Sequence, residues 1–231
     1  APKMITVVHC ETPSGTLNPL DELGKIKLRH NVPLIYADVV ASLGGAPVLT
    51  DEWAIDLALG GSQKCLSAPP GMCFVAISPQ AWEVIDQVDY QGYDALKPFK
   101  TAQENFYFPY TPYWHGMAAL NAAAGRLLDE GLEQSYSRHK KAAEYCRQGL
   151  QEMGLSLFPA PGAVQSPTVT AVKVPESITW PELDSRFRLR GLVVGGSYGP
   201  LSGKVFRLGH MGSQADLDLV ELALDAIRQV V

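Results

Sequence analysis

The first apolar run of the chain, "MITVVH" at residues 4–9, is short, unbroken and β-branched, the pattern of a buried strand. Polar and apolar positions then mix with helical spacing through "PLDELGKIKLRHN" (19–31), and a second strand-like run follows at "VPLIYADV" (32–39). Two more, "AIDLALG" (54–60) and "CFVAIS" (73–78), continue the series, and the last leads into a helix at "PQAWEVIDQV" (79–88). Apolar strands alternating with helices predict a largely parallel sheet covered on both faces.

Residues 89–112 lose this periodicity and turn aromatic, ending in "NFYFPYTPYW". The segment is too long for a simple connector and is expected to be a functional loop or a subunit contact. An alanine-rich helix follows from Tyr113 to about Glu130, with Ala118, Ala119, Ala122 and Ala123 suited to close packing, and Gly131 ends or kinks it before a second helix to Met153. Beyond that, strand-like segments at 155–159, 168–174, 192–195 and 204–211 interleave with helices at 179–190 and 214–230. This predicts a small α+β unit with a mostly antiparallel sheet. The chain is therefore expected to divide into a larger α/β domain over 1–130 and a smaller domain over 131–231.

Composition narrows the function classes. Hydrophobic residues make up 46% of the 231 positions and charged residues 19%, enough apolar material for a sizeable core. A net charge of −5 argues against nucleic acid or an anionic membrane as partner. No apolar run approaches the roughly 20 residues of a membrane helix, and "APKMITVVHC" lacks a signal-peptide layout. Cys10, Cys65, Cys73 and Cys146 form no CxxC pair and are expected to be reduced thiols of a cytoplasmic protein. The five histidines show no HExxH spacing, so no metal site is expected.

The chemistry gathers where strands end, because ligands of α/β sheets bind at the carboxyl edge. Asp38 closes the "PLIYA" strand, Lys64 follows the next strand and a glycine-serine turn, and Glu11 and Thr12 follow the first. Taken singly, Asp38 reads as a loop carboxylate and Lys64 as a surface lysine. The frame of Lys64 in "GGSQKCLSAPPG" (60–71) argues otherwise, since Gly60, Gly61, Pro69, Pro70 and Gly71 fix the backbone on both sides. A lysine can form a Schiff base with an aldehyde cofactor, and an aspartate can hold a pyridine nitrogen protonated so that the ring takes up electrons. Two competing motifs fail. "GGSYG" (195–199) matches a nucleophile elbow, but Ser197 leads into Pro200, Gly203 and a strand rather than a helix, and His210 precedes Asp216. "GPLSGKV" has Tyr198 where a phosphate loop requires glycine and Val205 where it requires Ser or Thr.

Five segments in order, "HCETPSGTLNPLDELG", "YADVVASLGG", "GGSQKCLSAPPG", "PTVTAVKVP" and "GKVFRLGHMG", resemble the class V aminotransferases of fold type I. The nearest likeness is to the alanine–glyoxylate, serine–pyruvate and pyridoxamine–pyruvate group. Cysteine desulfurases share that scaffold but are similar to a pattern with histidine before the lysine, where this chain has Gln63. The resemblance implies a pyridoxal 5'-phosphate enzyme that moves an amino group between a small amino acid and a small 2-oxo acid, glyoxylate or pyruvate, by a ping-pong route. Lys64 would form the Schiff base and shuttle the proton. Asp38 would pair with the pyridine nitrogen, Val40 would pack under the ring, and Thr12 would reach the phenolic oxygen. Gln63 and Ser62 would contact the phosphate, and Arg207 would clamp the substrate carboxylate. "YFPYTP" resembles a segment that crosses to a neighbouring subunit in a homodimer with shared sites, Thr111 being the expected phosphate contact, with Tyr107 or Tyr110 beside it. The likeness covers the C-terminal part of such an enzyme. The family's upstream phosphate turn and ring-stacking aromatic have no counterpart here, which leaves a non-catalytic interaction module as the alternative. Tyr198 stands in a turn where some pyridoxamine-accepting relatives carry an arginine.

Overall fold

In the computed structural model, which describes residues 2–231, the first apolar run forms β1 (Met4–Val8). A short hairpin of β2 (Cys10–Glu11) and β3 (Thr16–Leu17) and helix α1 (Leu20–His30) follow, then β4 (Leu34–Asp38), β5 (Leu57–Gly61), β6 (Cys73–Ile77) and α2 (Pro79–Val88). The strands of the main sheet lie in the order β1-β4-β5-β6. β4 runs parallel to both β1 and β5, while β6 returns antiparallel to β5. The sheet is thus largely parallel, as expected, with one antiparallel strand at its edge. Residues 62–72 are too short for the crossover of roughly a dozen or more residues that a parallel pair needs. Residues 39–56, also without a helix, are long enough to bring β5 in parallel to β4.

Local chemistry sets the helix ends. α1 carries Asp21 and Glu22 in its first turn and Lys27, Arg29 and His30 in its last, in keeping with the helix dipole, and stops at Asn31 in the left-handed conformation. α2 starts at Ser78, whose hydroxyl accepts from Ala81 N–H at 3.0 Å, with Pro79 in the first turn. Leu20 and Leu23 of α1 pack with Ile5, Ile35, Ala37 and Ala58 on one face of the sheet. Val84, Ile85 and Val88 of α2 line a cavity with Met4, Leu34 and Leu57 on the other. At the amino edge, Lys27 and Asp56 form a buried ion pair at 2.6 Å. Its carboxylate also accepts from Ile35 N–H (2.7 Å) and Ser78 Oγ (3.0 Å), so the buried charge is fully partnered.

Helices α3 (Trp114–Glu130) and α4 (Leu132–Glu152) meet at Gly131, whose φ of +88° a side chain would strain. The rest of the chain forms β7 (Val169–Lys173), α5 (Trp180–Leu189), β8 (Gly195–Gly196), β9 (Val205–Gly209) and α6 (Leu217–Arg228). Their sheet is antiparallel in the order β7-β9-β8. Ala142, Cys146 and Leu150 of α4, Leu183 and Phe187 of α5, and Leu224 and Ile227 of α6 close over Val172, Phe206 and Leu208 as one core. Two expected strands are reduced. Residues 155–159 touch β7 through the single bridge Leu157–Val172, and the 192–195 run gives only the two-residue strand Gly195–Gly196, with Leu192 and Val194 packed against the core before it. Among the described residues, no helix is long and apolar enough to cross a membrane.

Candidate functional site

The carboxyl ends of β1, β4 and β5 converge, and the register fixes how. Val8 pairs with Asp38, and Asp38 with Leu59, so the segments carrying Thr12, Asp38 and Lys64 leave the sheet side by side. Beyond β1 the buried His9 donates its backbone N–H to Asp38 O at 2.8 Å and bonds Ser42 Oγ through Nδ1 at 2.9 Å. Burial pushes the imidazole down to about 4, so it is neutral at physiological pH.

Asp38 Oδ1 accepts from Val40 N–H at 2.9 Å. Among the described residues neither Asp38 nor Lys64 has an ion-pair partner. Val40 and Gln63 flank the bare backbone of Gly61, where a Cβ would lie 3.1 Å from Val40 Cγ1 and 3.1 Å from Gln63 Oε1. That floor, with an open carboxylate on one side and an exposed Gln63 amide on the other, is compatible with a flat ring bearing a basic nitrogen and an anionic group.

The loop after β5 is held from within and from outside. Ser62 is fully buried. Its hydroxyl donates to Pro69 O at 2.7 Å and accepts from Met72 N–H at 3.4 Å, so it is spent on the loop rather than presented to a phosphate. Cys65 is buried beside Lys64, its thiol pushed up to about 12 by desolvation. Outside, Gly212 seats against the loop so closely that a Cβ would lie 2.0 Å from Ser67 Oγ, and Ser213 N–H donates to the same hydroxyl at 2.8 Å. That turn is fixed in its own right. Arg138 Nη1 donates to Gly212 O at 2.7 Å, and the Gly212 N–H donates to His139 Nε2 at 2.9 Å. Sequence reasoning missed this brace, because Arg138, His139 and Gly212 carry no motif linking them to Lys64.

Arg207 lies on β9 opposite Gly195 and Ala171. Its Nε and Nη2 donate to Gly196 O at 3.0 and 2.7 Å, its Nη1 to Thr12 Oγ1 at 3.0 Å, and the Tyr198 ring lies 5.5 Å from the guanidinium. Two of the five N–H donors remain for an incoming carboxylate. Thr12, Asp38, Val40, Gln63 and Lys64 therefore gather at one edge, with Arg207 tied to them through Thr12. Tyr107 and Thr111 do not join them. Both are exposed, on a loop that packs Phe99, Phe108, Tyr93 and Tyr110 against one another and leaves Phe106 (98% exposed) and Tyr107 outward.

Comparison with known proteins places the chain in a family. The family described as aminotransferase class-V matches residues 1–194. An uncharacterized aminotransferase of Methanocaldococcus jannaschii is 42% identical over 96% of this chain and 60% of its own length. The alanine–glyoxylate aminotransferase of Callithrix jacchus is 35% identical over 100% of this chain and 57% of its own. The crystal structure of pyridoxamine–pyruvate aminotransferase from Mesorhizobium loti superposes with a TM-score of 0.94 at 31% identity, over 99% of this chain and 59% of that one. The chain thus spans about three fifths of the length of the relatives it matches.

Proposed function

The chain belongs to the class-V aminotransferases, and from that premise we propose that the protein binds pyridoxal 5'-phosphate and transfers an amino group between a small amino acid, alanine- or serine-like, and a small 2-oxo acid, glyoxylate or pyruvate. The observation that carries this reading is the meeting of an unpaired carboxylate, Asp38, an unpaired amine, Lys64, and a guanidinium with two free donors, Arg207, around one sheet edge. An interaction module has no use for that set. The relatives similar to this chain include proteins named for alanine, glyoxylate, pyridoxamine and pyruvate.

When bound, the cofactor supplies an aldehyde that an amine can capture and a ring that withdraws electrons. The residues present fit such a group. Asp38 would face the ring nitrogen, Val40 would lie beneath the ring, Thr12 would serve the phenolic oxygen and Gln63 the phosphate. Lys64 Nζ would hold the cofactor through its aldehyde carbon and, as a free amine, would be the base placed to take the proton from the substrate α-carbon. Arg207 holds the carboxylate bidentately and so fixes which substrate bond faces Lys64. Since the amino group would stay with the protein while the first 2-oxo acid leaves, the kinetics would be ping-pong.

The exposed aromatic loop around Tyr107 and Thr111 supports a homodimer, since solvent-facing aromatics this dense mark an interaction surface. In that assembly Thr111 and Tyr107 would complete the neighbour's phosphate site. A direct test is the absorbance of the protein mixed with pyridoxal phosphate. Wild type gains the band of lysine-bound cofactor and Lys64→Ala does not; a band that survives Lys64→Ala overturns the assignment.

A further inference from the structure

Among the side-chain contacts that join the first and last parts of the chain is Arg207 Nη1 to Thr12 Oγ1 at 3.0 Å, across 195 positions of sequence. The surroundings are built for it. Thr12 opens the turn between β2 and β3, and that turn is closed by Gly15 N–H to Glu11 O at 2.9 Å and by Ser14 Oγ with Thr16 Oγ1 at 2.7 Å. The hairpin is then docked on the second unit, Leu17 N–H donating to Val164 O and Ser166 N–H to Gly15 O, both at 2.9 Å. Gly15 has φ +70°, and a Cβ there would lie 2.9 Å from the Cβ and N of Ala171. Ala171 is the β7 residue in register with Arg207. The bare glycine thus lets the turn settle one strand away from the guanidinium, and Thr12 spans the gap.

From the opposite side Arg207 is gripped through its Nε edge by Gly196 O. A guanidinium held on that edge alone keeps freedom to tilt, and the Thr12 hydroxyl removes it by engaging Nη1. We propose that Thr12 is a positioning residue for Arg207, aiming its two free N–H groups at the carboxylate of the substrate. A hydroxyl has two acceptor sites and one donor, so accepting from Arg207 leaves its O–H free for the cofactor. One side chain thereby couples carboxylate recognition on β9 to the cofactor edge of the main sheet. The inference rests on the reading of Arg207 as the carboxylate clamp.

The test is calorimetric binding of propionate, a carboxylate that cannot react, to the protein loaded with pyridoxal phosphate. A hydrogen bond to a charged group is worth enough that Thr12→Val weakens propionate binding about tenfold. Thr12→Ser, which keeps the hydroxyl, stays within about twofold of wild type. In an Arg207→Gln background, where the clamp is gone, adding Thr12→Val changes the affinity by less than about twofold. Wild-type affinity in Thr12→Val, or an undiminished loss in the Arg207→Gln background, overturns the positioning role while leaving the clamp in place. If Arg207→Gln alone binds propionate as wild type does, the clamp reading falls and the positioning role with it.

Discussion

Buried histidines show how single residues tie this fold to proton concentration. His210 donates from Nδ1 to Pro167 O at 3.0 Å and pairs Nε2 with Thr170 Oγ1 at 2.9 Å, while His139 donates from Nδ1 to Ser135 O and accepts from Gly212 N–H. Each arrangement suits a neutral ring, and a second proton on His139 would turn Nε2 into a donor facing a donor. Desolvation holds His9 and His210 down to about 4 and lowers His139 as well. In the unfolded chain a histidine titrates near 6.5, so between about pH 6.5 and 4 the unfolded state binds more protons. The stabilisation is whole above that window and lost as the pH falls through it, on the order of 3 kcal/mol for each of His9 and His210 at the limit. Urea midpoints measured from pH 7.5 down to 4.5 should fall steadily, and His210→Gln, whose amide can keep one bond and does not titrate, should flatten the slope. A midpoint constant across that range contradicts the neutral buried rings.

At the scale of elements, the amino edge of the main sheet depends on one buried pair. Lys27 of α1 reaches Asp56 ahead of β5, and the same carboxylate receives the Ile35 backbone and the Ser78 hydroxyl that caps α2. Lys27→Met leaves that carboxylate buried without its cation and should destabilise the protein by about 3–5 kcal/mol by chemical denaturation. A loss below about 1 kcal/mol would mean that the edge opens to water. These elements were legible in the sequence to different degrees. α2 matches its expected span, 79–88, because Ser78 and Pro79 signal a helix start. The β2–β3 hairpin was invisible, since two-residue strands carry no hydrophobic period, and 155–159 read as a strand because its apolar residues face the core without entering a ladder.

For the whole molecule, what could be read in advance follows sequence distance. Asp38 and Lys64 follow consecutive strands, so the strand pattern was enough to place them at one edge, while Val40 and Gln63 were assigned through the family likeness. The parts drawn from the far end of the chain were not legible as neighbours. Thr12 meets Arg207, Gly212 meets Ser67, and Arg138 pins the Gly212 turn only because the second sheet packs against the loops of the first. Ser62 was misjudged for a related reason, since only the folded loop shows its hydroxyl turned inward to Pro69. The account centres on Lys64, and the most direct test is to locate the cofactor chemically. Borohydride treatment of the protein with pyridoxal phosphate, followed by peptide mass mapping, should place one reduced cofactor on Lys64. A label distributed over exposed lysines such as Lys25 or Lys140, with Lys64 unmodified, would contradict the account.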